Sequence, residues 1–343
     1  MKNKFLMLTV LLMLIAGVAG CATAAASSST SDMVMPTPQV NAPPAVQPHQ
    51  MFDPALPAAS SDKVKQVTLT VKDVTTEIAP GVPVDLWTYG GTVPGTTIHV
   101  NLGDTIQFTL INQGSIEHSI DFHAAQTPWN KNYVSIKPGQ SLSFEWKANY
   151  PGVFMYHCGT PPVIHHIANG MYGAIVVSSP ELKPVAKEYV IVQSEFYVKK
   201  GDNGLNHTDS AKANVAGAPD YVVFNGYANQ YKDTPLTANP GERIRLWVVN
   251  AGPTTFSAFH VIGALFDTAY ADGDPQNVQH GMQTVTIPPG GGYMVELVIP
   301  EAGIYPFVTH SFTYTGKGAM GLIKVGDGGA TTGANTDTST MSH

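Results

Sequence analysis

Cys158 stands one residue after His157, eight before His166 and thirteen before Met171. With His165, these residues set a thiolate, three imidazoles and a thioether within the 17 residues from Met155 to Met171. Imidazole, thiolate and a weak axial thioether form the donor set that gives a mononuclear copper ion a trigonal, electron-transferring environment. Zinc accepts Cys and His but gains nothing from a Met, so the thioether points to copper. A buried free Cys is an ordinary core residue; one with soft donors at these spacings is not.

Two further imidazoles occur in His118-Ser-Ile-Asp-Phe-His123. Successive side chains of a strand point to opposite faces. His118 and His123 lie an odd five residues apart, and His157 and Cys158 are neighbours, so an unbroken strand divides each pair between two faces. His118, Cys158, His166 and Met171 are therefore assigned to one copper inside a sandwich. His123 and His157 face outward and need a third partner, for which His310 is the best donor, with His260 close behind. Three imidazoles with an open fourth position make a site that binds a small ligand. The His157–Cys158 peptide would then join an electron-transfer centre to a substrate centre by one covalent link.

The elements that must position these donors read as β. Val67–Val71, Ile98–Val100 and Ile106–Leu110 alternate, and Pro94-Gly95, Gly103-Asp104 and Pro138-Gly139 break such runs at short intervals, as a β-sandwich requires. His99 falls in one of these strands and is expected to face solvent. The pattern then repeats. Leu102–Asn112 is echoed by Pro240–Asn250, Pro138–Trp146 by Pro289–Leu297, Pro151–His157 by Ala302–His310, and Gly170–Val177 by Gly318–Val325. Two copies of one sandwich, residues 63–182 and 183–326, follow. In the second copy Ser311 stands for Cys158, Ala319 for Met171 and Phe256 for His118. It has lost the soft donors yet keeps His260 and His310, which suggests a different task for them.

A length of 343 residues fits about two domains. With 43% hydrophobic and 13% charged residues the chain is a core-forming globular protein. A net charge of −7 argues against nucleic acid as a partner, because phosphate binding needs clustered Lys and Arg. Lys2 and Lys4, the apolar run Phe5–Val18 and the small residues after it read as an export signal over residues 1–20. Val18-Ala-Gly-Cys21 resembles the bacterial lipobox, which would make Cys21 a lipidated first residue and explain why the chain's two cysteines form no disulfide. The expected location is the cell envelope, lipid-anchored on the periplasmic side, at the outer membrane if the cell is Gram-negative; Ala22 is compatible with that destination. Residues 21–62, rich in Ala, Ser, Pro and Met, read as a disordered tether that includes His49, and residues 327–343 as a disordered tail. His207, His280 and His343 lie in loop or tail sequence and are expected to be exposed.

These motifs resemble those of the copper-containing nitrite reductases, over essentially all of residues 64–325. The resemblance implies an all-β fold of two tandem cupredoxin-like Greek-key β-sandwiches or barrels, and the dissimilatory reduction of nitrite to nitric oxide. By resemblance, His118, Cys158, His166 and Met171 bind a type 1 copper, and His123, His157 and His310 a type 2 copper fed with electrons through His157-Cys158. The third type 2 histidine comes from a neighbouring subunit in that family, which implies a homotrimer with active sites at its interfaces. Asp121 matches the family's catalytic aspartate, His260 its catalytic histidine, and Ile262 the apolar residue that caps the type 2 copper. Electrons would come from a c-type cytochrome or a small cupredoxin. His165 is usually bulky and apolar in relatives, which poses a register question that the Met171 spacing decides for His166 as ligand; His165 would then sit at the surface, where a donor could dock.

Two other readings compete. A multicopper oxidase builds its trinuclear cluster from paired His-x-His motifs, which this chain lacks. A lipid-anchored electron carrier without catalysis would hold one copper and have no use for His123, His157 and His310.

Overall fold

A computed structural model describes residues 45–201 and 204–327. The expected export signal, Cys21, residues 22–44, His343 and tail residues 328–343 lie outside the described residues. The first sandwich comprises β1 (Val64–Glu77), β2 (Pro83–Tyr89), β3 (Ile98–Asn101), β4 (Thr105–Asn112), β5 (Asp121–Phe122), β6 (Ser141–Lys147), β7 (Gly152–His157) and β8 (Tyr172–Ser178). The chain continues through β9 (Lys187–Phe196), β10 (Val198–Lys200), β11 (Asn206–Thr208), β12 (Tyr221–Phe224), β13 (Thr234–Ala238) and β14 (Arg243–Gly252). It ends in β15 (Ser257–Val261), β16 (Phe266–Ala271), β17 (Val278–Met282), β18 (Thr284–Ile287), β19 (Gly292–Val298), β20 (Gly303–Thr309) and β21 (Met320–Val325).

The sequence repeat is a repeat of topology. The run β2-β1-β4-β6 in one sheet corresponds to β12-β9-β14-β19, and β3-β8-β7-β5 to β13-β21-β20-β15. Both copies pair their first long strand in parallel, β1 with β4 and β9 with β14, and both add a second parallel pair, β3 with β8 and β13 with β21. The fold is all-β, two cupredoxin domains in tandem. Each has its own core, one around Phe108, Phe122, Tyr156 and Ile175, the other around Phe224, Leu246, Phe259 and Phe307.

A third apolar layer lies between the sandwiches. Val153 and Met155 of β7 and Tyr172, Ala174 and Val176 of β8 pack with Val190 and Val192 of β9 and with Trp247 and Val249 of β14. The alternate residues, Tyr156 and Cys158, Ile175 and Val177, turn into the first core. The strand period of two therefore points 153, 155 and 157 toward the seam and 156 and 158 inward, which is the division that the paired donors require.

Two expectations need correction. Residues 45–62 are not a structureless tether. Gln47 N–H donates to the Thr75 carbonyl (2.8 Å), Leu56 N–H to Glu188 (3.1 Å), and Val190 N–H to Pro54 (2.7 Å), while the His49 ring stacks on Tyr227 at 3.7 Å. The segment has no core of its own, but it completes strand edges whose polar groups need partners. His99 is accordingly half-buried: its Nδ1 bonds the Pro57 carbonyl (2.5 Å) and its Nε2 the Ser178 hydroxyl (2.7 Å). Second, the hairpin β10–β11 lies beyond residue 182 yet extends the first sandwich, with Asn206 and His207 of β11 paired to Val84 and Asp85 of β2. His207 is half-buried there, with Nδ1 3.0 Å from an Asp85 carboxylate oxygen; His280, on β17, is exposed as expected.

Candidate metal centres

Asn112, the last residue of β4, shapes the loop that carries His118. Its amide donates to the carbonyls of Ile116 (2.8 Å) and Ile136 (2.9 Å), and its Oδ1 accepts from Gly114 N–H (2.9 Å). His118 and Ile136 then exchange both backbone bonds, at 3.1 and 2.8 Å. Cys158 follows the last residue of β7, with its N–H bonded to the Met171 carbonyl (3.1 Å). Between them the chain makes a short helix, α1 (Val163–Ala168), which carries His166 inward and leaves His165 half-buried outside the donor set.

The three donors converge. His118 Nδ1 and His166 Nδ1 are 3.2 Å apart, and Cys158 Sγ lies 3.9 Å from the first and 3.3 Å from the second. Three ligands each about 2 Å from one ion must lie about 3.5 Å from one another, so the triangle fits a metal. Cys158, His118 and Met171 are fully buried and His166 nearly so. Burial holds both imidazoles down to about 4, from an ordinary 6.5; for His166 the neighbouring His118 and His165 add to it. Both rings are thus neutral at neutral pH, with lone pairs free to bind. Ser119 N–H points at Sγ (3.3 Å), and the Trp87 ring packs 5.5 and 4.9 Å from the two imidazoles. This is the type 1 copper site.

A second cluster forms on the other face of β7. His157 Nε2 and His123 Nε2 are 3.1 Å apart, and Asp121 Oδ2 lies 3.9 Å from His157 Nε2. The outer nitrogens fix the tautomers: His157 Nδ1–H donates to the Cys158 carbonyl (2.9 Å) and His123 Nδ1–H to the Gly290 carbonyl (3.0 Å). Both Nε2 atoms are therefore left unprotonated side by side, the state that second partners impose on metal-binding histidines. Burial is the main cause that lowers the affinity of His157 for a proton, with His123 adding to it. The segregation of His118 from His123 holds, although by a different route from the one expected. The strand β5 is two residues long and residues 119–120 before it lie in no strand, so an irregular connection, and not an unbroken strand, separates the two rings.

His310 and His260 lie together on the second sandwich, ring centroids 5.4 Å apart, with His310 exposed and its N–H bonded to Ala258 (2.7 Å). His260 Nδ1 bonds the Gln283 carbonyl at 2.5 Å, and half-buried Ile262 follows one residue beyond β15. Among the described residues neither histidine joins the donor group of Asp121, His123 and His157. One chain therefore gathers two of the three expected imidazoles in one place and presents the third elsewhere. Sequence reasoning missed Ser119, Trp87 and Gly290, which act through a backbone group or ring packing and carry no ligand signature.

The fold and these centres define a two-domain cupredoxin with a buried His-Cys-His-Met site and a second His/Asp site at its surface. Family models described as multicopper oxidase match residues 70–182 and 187–333. The copper-containing nitrite reductase of Neisseria gonorrhoeae is 41% identical over 279 residues, 78% of this chain and 71% of that protein. The structure of copper nitrite reductase from Nitrosomonas europaea matches with a TM-score of 0.72 at 37% identity, over 77% of this chain and 94% of that one. A multicopper oxidase structure matches with a TM-score of 0.69 at 26% identity, over 80% of this chain and 94% of that one. The chain belongs to the copper-containing nitrite reductases, within the wider multicopper oxidase family.

Proposed function

We propose that the protein reduces nitrite to nitric oxide, consuming one electron and two protons and releasing water. The observation that carries this reading is the convergence of His123 and His157 Nε2, flanked by Asp121, one peptide bond from a buried thiolate centre. A pure electron carrier has no use for the second cluster. Copper held by these residues would supply the one-electron chemistry.

The chain's own residues supply the rest. Asp121 flanks the imidazole pair, where its carboxyl can hydrogen-bond an oxygen of a small anion and hand it a proton. His260 is the second proton-holding group, oriented by the Gln283 carbonyl. Ile262 offers an apolar wall that limits how an anion can lie. His310 completes the three-imidazole set from a neighbouring copy, so the working unit is a homotrimer with a site at each interface. Phe256, just before β15, and Leu265, just before β16, support that assembly: they are 57% and 60% exposed in the single chain and would be covered by a neighbour. The protein acts outside the cytoplasm, held to the envelope through lipidated Cys21 on the periplasmic side. It draws electrons from a c-type cytochrome or small cupredoxin that docks near His165.

The test is metal analysis with a nitrite-to-nitric-oxide assay, on the native protein and on His310→Gln. The substitution should remove the second copper and the activity while leaving the thiolate charge-transfer colour. Retention of both coppers would exclude His310 as a ligand.

A further inference from the structure

The corner that shapes the His118 loop occurs twice in this chain, and its second copy touches the other metal site. Asn250, two residues before the end of β14, matches Asn112 at the end of β4. Its amide donates to the carbonyls of Thr255 (2.7 Å) and Ile287 (3.0 Å), and its Oδ1 accepts from Gly252 N–H (3.1 Å). Each asparagine also clamps a proline-glycine turn through its backbone. Gly139 N–H donates to Asn112 (2.8 Å) and Gly290 N–H to Asn250 (2.7 Å), with return bonds from Asn112 N–H to Gln140 (2.9 Å) and from Asn250 N–H to Gly291 (3.0 Å). In both turns Pro is second and Gly third, and the glycines have φ of +81° and +79°.

What lies beyond the turn differs. A Cβ on Gly139 would meet nothing within 4 Å, whereas one on Gly290 would lie 3.1 Å from Cε1 of His123. His123 is exposed, and the Gly290 carbonyl is its ring's bond to the second sandwich. We infer that the Asn250 corner is a positioning device for the type 2 site: it holds the Gly290 carbonyl where it fixes the tautomer and tilt of His123, so that the second sandwich orients a ligand supplied by the first. The inference rests on His123 being a copper ligand. In the first copy the corner shapes the loop of a type 1 ligand; in the second, where those donors are gone, the same corner serves the other centre.

The internal repeat supplies its own control. Gly290→Ala and Gly139→Ala introduce the same left-handed strain, but only the first presses on His123. Gly290→Ala should weaken type 2 copper binding about 10-fold or more and shift the type 2 hyperfine pattern in electron paramagnetic resonance, with the type 1 charge-transfer band unchanged. Gly139→Ala should leave type 2 affinity and spectrum as in the native protein. Native type 2 affinity and spectrum in Gly290→Ala would overturn the inference, as would an equal loss in Gly139→Ala. Should Gly290→Ala fail to fold, imidazole nitrogen NMR of the copper-free native protein decides: the Nδ1–H tautomer at His123 supports the inference and the Nε2–H tautomer overturns it. A native protein that bound a single copper per chain would instead remove the type 2 reading, a separate outcome visible before any substitution.

Discussion

His157 Nδ1–H donates to the carbonyl of the next residue, Cys158, at 2.9 Å. The two side chains, at the end of β7 and one residue beyond it, point to opposite sides, so each serves a different donor cluster. The hydrogen bond fixes which nitrogen of His157 faces outward.

Cys158→Ser replaces the soft donor with a hard one in a fully buried site. The charge-transfer colour should disappear and copper content fall by half, while the type 2 resonance stays. Loss of both coppers would show that the two centres assemble as one unit.

Asp121→Asn keeps the shape of the side chain and removes a transferable proton. Absorption of the type 1 centre should be unchanged and nitrite turnover should fall on the order of 100-fold or more. Undiminished turnover would assign proton delivery to another group.

The pH dependence of the copper-free protein follows from His118 and His166, which burial holds down to about 4. In the unfolded chain such rings take up protons near 6.5. Between those values the unfolded chain binds protons that the folded chain refuses. The contribution of these two rings to stability is therefore full above pH 6.5, falls as pH drops through the window, and levels off below pH 4. The loss should be on the order of 3 kcal/mol per ring, read from urea unfolding at pH 7 and pH 4.5. A flat profile would mean that the rings become charged in place.

A chain that begins at Lys63 loses the backbone bonds of Gln47 to Thr75, Leu56 to Glu188 and Val190 to Pro54, the Phe52 bonds with Gln230 and Tyr231, the Pro57 carbonyl on His99, the Ser60 and Asp62 carbonyls on Lys65, and the packing of Leu56 against the seam. At about 1 kcal/mol net for each bond, its unfolding free energy should fall by several kcal/mol while its colour persists. Equal stability of the two forms would show that water replaces these partners without loss.

Much of this architecture was legible in the sequence because the determinants are local. Cys158, His166 and Met171 announce their metal through type and spacing, and the echo of Leu102–Asn112 in Pro240–Asn250 announces the duplication. The ordering of residues 45–62 was not legible, since it depends on open edges at Thr75 and Glu188 that no composition reports. The Gly290 contact to His123 spans 167 positions and uses a backbone carbonyl, which has no side-chain signature. His99 was misread for a related reason: alternation predicts the face on which a side chain lies, but not what later folds over that face.

The hairpin β10–β11 hands part of the second half to the first. Cutting the chain between the halves would strip β2 of its outer neighbour β11 and bare the Val153–Met155 side of β7. Such a fragment would carry an unpaired strand edge beside an oily face, the combination that invites chains to clump.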